Sequence, residues 1–193
     1  FVEWSAAANS VNGVSYITNM TYARFLEAMG GLYALEDCRE EAEKVRETVR
    51  RRSKRGLWFR DCSKSDVCSE ACQYYAFYTG TATREKDGGL WETLIEKLGP
   101  MRREGVLPQI IKSDLLFGYS LRFVLLSEAG LSGRVLEEVK ACYGPMAEKT
   151  GTLWEGMDVS GDHSCCHGFP SLAAWLIARE ALGGRRIDHA AKT

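Results

Sequence analysis

The chain has 193 residues, 45% apolar and 26% charged, which is the size and balance of one globular domain or a large piece of one. Its net charge of −1 gives no global field to draw nucleic acid or an anionic membrane, so neither is expected as a partner. No apolar run nears the roughly 20 residues that span a bilayer, and no signal peptide is visible.

The chain opens at Phe1 rather than Met, so the natural N-terminus is expected to be absent and export is not read from it. From Tyr16 to Leu35, Ile17, Met20, Tyr22, Phe25, Leu26, Met29 and Leu32 recur at three- and four-residue steps, which predicts an amphipathic helix weakened at Gly30-Gly31. Asp37, with Glu40 three residues on, reads as the cap of a second helix running to about Arg52. Ala42, Val45 and Val49 mark its narrow buried stripe. Its acids lie early and the run Arg50-Arg51-Arg52-Ser53-Lys54-Arg55 lies late, as the helix dipole favours, so the basic run is expected to be a solvated face.

Residues 56–61 form a short apolar connection without helical period. Asp66 is expected to cap a third helix, Val67 to Ala82, with so little polar surface that it must be buried. A short helix follows from Leu90 to Leu98, stopped by Gly99-Pro100. Ser113 or Asp114 starts the next, which ends at Gly130. Ser132 caps another to about Tyr143, where Gly144-Pro145 is expected to interrupt it. A loop from Thr150 to Phe169 leads to a last helix that begins around Pro170 and ends at Gly183-Gly184. Seven helices and no strand alternation predict an all-α fold of helical hairpins.

The seven cysteines, an odd number, match no standard zinc spacing. They are expected to be buried free thiols, which favours a reducing, cytoplasmic compartment, and no metal or cofactor is assigned. Chemistry is expected in the 150–169 loop. Glu155 is a carboxylate beside the large aromatic Trp154, and His167 stands just before the last helix. A base must be ionised at working pH, so hydrogen bonds are expected to hold Glu155 as the anion. The residues alone leave open whether Glu155 is a base or a loop cap, and whether His167 binds substrate or is structural. Aromatic faces at Trp4, Trp58, Trp154, Tyr74 and Tyr75 together with carboxylates suit a carbohydrate substrate. A Ser-His-Asp hydrolase is not supported, because Ser164 lies on no nucleophile elbow.

Thr150-Gly151-Thr152-Leu153-Trp154-Glu155, followed by Ser164-Cys165-Cys166-His167-Gly168-Phe169, resembles the end of the catalytic domain of bacterial α-L-rhamnosidases, where Thr-(Leu/Ile)-Trp-Glu precedes Ser-x-x-His. Glu3-Trp4 resembles that family's Asp-Trp motif. Residues 69–77 resemble a helix facing the barrel centre. The resemblance implies part of an (α/α)6 toroid, a six-hairpin glycosidase that removes terminal α-L-rhamnose with inversion. Glu155 would be the general base, His167, Trp154, Trp4 and Glu3 would bind sugar, and two carboxyls would stand roughly 6.5–9.5 Å apart around the attacking water.

Two departures accompany it. The seven expected helices are fewer than a full toroid needs, and the family's general acid comes from a segment earlier than this chain. Glu3, Asp61, Asp66 and Glu70 do not match the acid motif. Residues 1–193 are therefore expected to be the C-terminal portion of such a domain, needing an N-terminal half or self-association. Cys166 stands where the family often has Asn. Two alternatives remain: a six-hairpin glycosidase for another sugar, such as an unsaturated uronide, and a non-catalytic helical fragment that binds carbohydrate or protein.

Overall fold

The computed structural model describes residues 6–7, 11–157 and 164–183. Among them are seven α-helices and four two-residue strands. Helix α1 (Tyr16–Tyr33) is capped by Ser15, whose Oγ accepts from the Thr18 amide, and buries Ile17, Met20, Ala23 and Leu26 at the expected spacing. Ala34 turns the chain in the left-handed region at φ 54°, and α2 (Glu36–Ser53) folds back on α1 as a hairpin. The hairpin is tight at Gly30, where a Cβ would lie 2.6 Å from Arg39 Cγ and 3.0 Å from the Leu35 carbonyl oxygen. Asp37 is not the cap expected of it. The helix starts two residues earlier, Leu35 occupies the cap position without a side-chain bond, and Asp37 sits in the first turn, where the dipole favours an acid.

The basic run is only partly solvated. Arg50 donates to both oxygens of the buried Asp87, at 2.6 and 2.9 Å, and Lys54 pairs with the same carboxylate. Arg46, buried on the α2 stripe, donates to the Thr79 carbonyl at 2.7 Å and pairs with Glu27 and Glu43. These cations fasten α2 to the turn before α4 (Gly88–Lys97). Strands β1 (Lys54–Arg55) and β2 (Trp58–Phe59) form a small antiparallel hairpin where only a connection was expected.

The third helix also differs. Cys68–Ser69 forms strand β3, parallel to β4 (Ile110–Ile111), so α3 starts only at Glu70 and runs to Tyr78. Ser69 caps it through the Cys72 amide, while Asp66 points outward and pairs with Arg60. A pairing across some forty residues overrides the local cap signal. Helix α3 is buried nearly all round, as its composition predicts, and it divides the core. Ala71, Cys72 and Ala76 face α1 and β2, and Tyr74 faces the second cluster, built from α5, α6 and α7.

Asp114 caps a five-residue π-turn (Leu115–Tyr119) that runs into α5 (Ser120–Glu128). Helix α6 (Ser132–Lys149) passes unbroken through Gly144-Pro145. Proline removes a backbone bond there, but Val139, Cys142 and Met146 are buried in the cluster shared with α7 (Leu172–Leu182), and that packing holds the axis. Ser132 does not cap α6; its hydroxyl donates to Glu180 on α7 at 2.5 Å.

Ionic bonds join α5 to α6, and α3 to the loop after α4. Arg122 on α5, wholly buried, donates through Nε and Nη2 to both oxygens of the buried Glu138 on α6, at 2.7 and 2.8 Å, and through Nη1 to the Leu94 carbonyl. Arg134 shares Glu138 at 2.7 Å. On α3, Glu70 accepts from the Tyr74 hydroxyl at 2.7 Å and the Gly99 amide at 3.2 Å, and pairs with Arg102 at 2.9 Å. Gly99 has φ 105°, and a Cβ there would stand 2.5 Å from Arg122 Nε, so glycine is required on both counts.

Candidate functional site

The 150–157 and 164–168 segments pair along their backbones. The His167 amide donates to the Leu153 carbonyl at 2.8 Å, and the Glu155 amide donates to the Ser164 carbonyl at 2.9 Å. The Thr152 hydroxyl bonds the Cys165 carbonyl. These contacts set Glu155 and His167 on facing segments of one loop. The Glu155 carboxylate is also held, because its Oε2 accepts from the Ser164 amide at 3.1 Å.

Three anchors fix the loop to the helices. Trp154 is 1% exposed and packs in the cluster beneath the loop. Its Nε1 donates to Thr150 Oγ1 at 2.7 Å, and its amide reaches Met146 Sδ at 3.4 Å. Asp114 Oδ1 receives the Met157 amide at 3.0 Å as well as its own cap bond from Leu115, which ties the loop to the start of the π-turn. Pro170, in the first turn of the 3-10 segment Phe169–Ser171, leads into α7.

The expected residues separate as follows. Glu155 is half-buried and His167 half-buried, with both backbones in the paired loop. Trp154 offers no open ring face: its indole is core, and it positions Glu155 rather than walling a pocket. A large aromatic next to a candidate carboxylate looks the same in sequence whether it faces ligand or core. Tyr74 is likewise wholly buried, whereas Trp58 and Tyr75 are half-buried. Glu3 and Trp4 lie outside the described residues. Asp114, taken in sequence only as a helix start, is a loop-holding carboxylate that went unrecognised; a cap residue that opens an apolar helix carries no signal of a partner 43 residues on.

Burial pushes the Asp61 carboxyl up to about 6, partly offset by hydrogen bonds from Ser69 and Cys72. Burial also raises Glu70, against the hydrogen bond from Tyr74 and the charge of Arg102. Both carboxylates serve the fold: Asp61 Oδ1 accepts from the Ser69 amide at 2.9 Å, beside the start of α3. All seven cysteines are free. Cys62, Cys68, Cys72 and Cys142 are buried as expected, but Cys165 and Cys166 are exposed because they occupy the outer turn of the loop. Among the described residues no three His, Cys, Asp or Glu side chains are grouped to hold a metal ion. No helix among them is long and apolar enough to cross a membrane.

A fold of all-α helical hairpins carrying its polar loop before the last helix defines a structural class, and one solved structure illustrates it. The chain is similar to the GH78 family rhamnosidase of Bacillus sp. GL1, with a TM-score of 0.74 and 19% identity over 92% of this chain and 20% of that one. At that identity the likeness establishes the fold. The chain spans about a fifth of that rhamnosidase's length. No protein-family profile matches the sequence, and no curated protein does.

Proposed function

We propose that this chain forms part of the catalytic domain of a glycoside hydrolase that removes terminal α-L-rhamnose with inversion, with Glu155 as general base. The observation that carries this is the paired loop. It fixes a carboxylate by a backbone amide and brings His167 onto the facing segment, in a fold like that of a rhamnosidase. The Glu155 carboxylate takes a proton from water, the water oxygen bonds the anomeric carbon from the face opposite the leaving group, and the glycosidic C–O bond breaks toward an oxygen protonated by a general acid. His167 and a sugar hydroxyl make the positioning contact. The acid is not assigned to a residue of this chain.

The remainder of the toroid packs on the outermost helices in this reading. Tyr22, Phe25, Leu32 and Tyr33 on α1 and Trp175, Ile177 and Leu182 on α7 are exposed apolar side chains, the surface that further helical hairpins would cover.

The test is hydrolysis of a chromogenic α-L-rhamnoside, with the anomer of the released sugar read by NMR. Glu155→Gln is expected to lower kcat by about 10²–10⁴-fold, the usual worth of a positioned base, with the melting temperature held. Retained turnover removes Glu155 from the role. Rhamnose binding without turnover selects a carbohydrate-binding helical piece, and turnover of a uronide instead keeps the toroid but changes the sugar.

A further inference from the structure

The cleft between the end of α4, the loop after it and the start of α6 has a volume of about 390 Å³, within the range of small-ligand sites. It shares no residue with the Glu155 loop. Lys97, Arg102, Arg103 and Arg134 line it, with Glu96 as the only acid among its lining residues. Behind them lies the buried ionic cluster. Arg102 is paired with Glu70, and Arg134 shares Glu138 with Arg122.

Charge does not balance here. Five cations, Lys97, Arg102, Arg103, Arg122 and Arg134, meet three carboxylates, Glu70, Glu96 and Glu138, which leaves two positive charges. Both buried carboxylates are already engaged by their arginines. Glu138 takes two guanidiniums, so it has no charge to spare for the cleft. Lys97 and Arg103 stand exposed at the rim and form no ion pair among the described residues. A surface cluster held only by solvation would not need partly buried guanidiniums at its floor. Here Arg102 has a side chain 9% exposed, and its Nη1 donates to the Ile110 carbonyl at 3.0 Å, which fixes its plane. A fixed guanidinium floor and an exposed cationic rim suit a divalent oxyanion, which accepts several charge-assisted hydrogen bonds at once.

We propose that this cleft binds a phosphate- or sulfate-type oxyanion, free or as a substituent on a sugar. Arg102 and Arg134 form its floor, and Lys97 and Arg103 close over it. The proposal is independent of the role given to Glu155.

The test is calorimetric titration of the chain at fixed ionic strength with inorganic phosphate, inorganic sulfate, a sugar phosphate, D-galacturonate and chloride. One-to-one binding of phosphate and sulfate is expected, with galacturonate weaker and chloride not measurable. A sugar phosphate that binds more tightly than inorganic phosphate identifies the substituted sugar as the source; equal affinity identifies the free ion. The double variant Lys97→Ala/Arg103→Ala touches no internal pair, so its fold is retained. It is expected to weaken phosphate binding by about tenfold or more, the loss of charge-assisted bonds. No binding by the parent chain, affinity unchanged in the double variant, or chloride matching phosphate overturns the proposal.

Discussion

Glu155 and Ser164 hold each other by two backbone amides. The Glu155 amide donates to the Ser164 carbonyl at 2.9 Å, and the Ser164 amide donates to Glu155 Oε2 at 3.1 Å. The second bond makes the carboxylate part of the loop's own closure. A backbone amide thereby fixes the direction of Oε2. Replacing Ser164 by proline removes the amide that holds Oε2 while leaving the carbonyl. In a protein that turns over rhamnoside, Ser164→Pro is expected to lower kcat by about tenfold to a hundredfold, the scale of misplacing a catalytic group by an ångström, with KM changed little. Steady-state kinetics check this, and an unchanged kcat would show that the amide does not position the base.

Trp154 ties that loop to the core. It is 1% exposed, and both its indole nitrogen and its amide are occupied. Trp154→Ala is expected to cost about 3–5 kcal/mol by leaving a cavity, seen as a lower urea midpoint. Trp154→Phe keeps much of the volume and should cost less. A sugar-stacking tryptophan behaves the other way: alanine would leave the midpoint alone and raise KM for rhamnoside.

How far the fold was legible follows the range of the forces that set it. The buried stripe of α1 repeats within single turns, so its limits were readable to within two residues. The start of α3 was misplaced because Cys68–Ser69 pairs with Ile110–Ile111, a contact no local pattern encodes. Pro145 was read as a break because a proline's local cost is visible in sequence and the packing of Cys142 and Met146 is not. In the loop, Glu155 and His167 stand out in the sequence because they carry a motif, whereas the burial of Trp154 is a tertiary fact that no local pattern encodes. The pair Arg122–Glu138 left one trace in the sequence, an arginine inside the apolar run Ser120 to Leu126, where only a buried partner makes the charge tolerable.

That pair gives a stability effect as large as the one expected at Trp154. Arg122 and Glu138 are both wholly buried, and the Glu138 carboxylate, shared with Arg134, balances the Arg122 charge. Glu138→Ala leaves a guanidinium in the core that keeps the Leu94 and Ile95 carbonyl oxygens but loses its directly paired carboxylate. The expected loss is about 3–5 kcal/mol, the penalty for breaking a buried ion pair from one side. Gly99→Ala attacks the same spot from outside, by forcing a Cβ toward Arg122 Nε at a positive φ, and should also destabilise. Chemical denaturation of the two single variants and of the double variant checks the relationship. Losses smaller than additive are expected, because both changes disturb one arginine; strict additivity would show that Gly99 acts through its backbone alone.

Asp61 makes stability depend on pH. Burial raises its carboxyl to about 6 in the folded chain, against an ordinary value near 3.8 when unfolded. The folded state therefore binds the proton more tightly than the unfolded state. The stabilisation from this group is fully present below about pH 4 and is lost as pH rises through about 6. Two units correspond to about 2–3 kcal/mol, so at pH 7 the ionised Asp61 is a burden that its hydrogen bonds from Ser69 and Cys72 only partly offset. Asp61→Asn keeps an oxygen to accept the Ser69 amide and cannot ionise. Urea midpoints from pH 4 to pH 7 should show the parent losing stability relative to Asp61→Asn as pH rises, with most of the change between about pH 4 and pH 6. Glu70 is raised in the same direction and titrates in both proteins, so it cancels in the difference. A difference that stays flat, or that grows as pH falls, would mean that Asp61 ionises inside the fold at least as easily as it does outside.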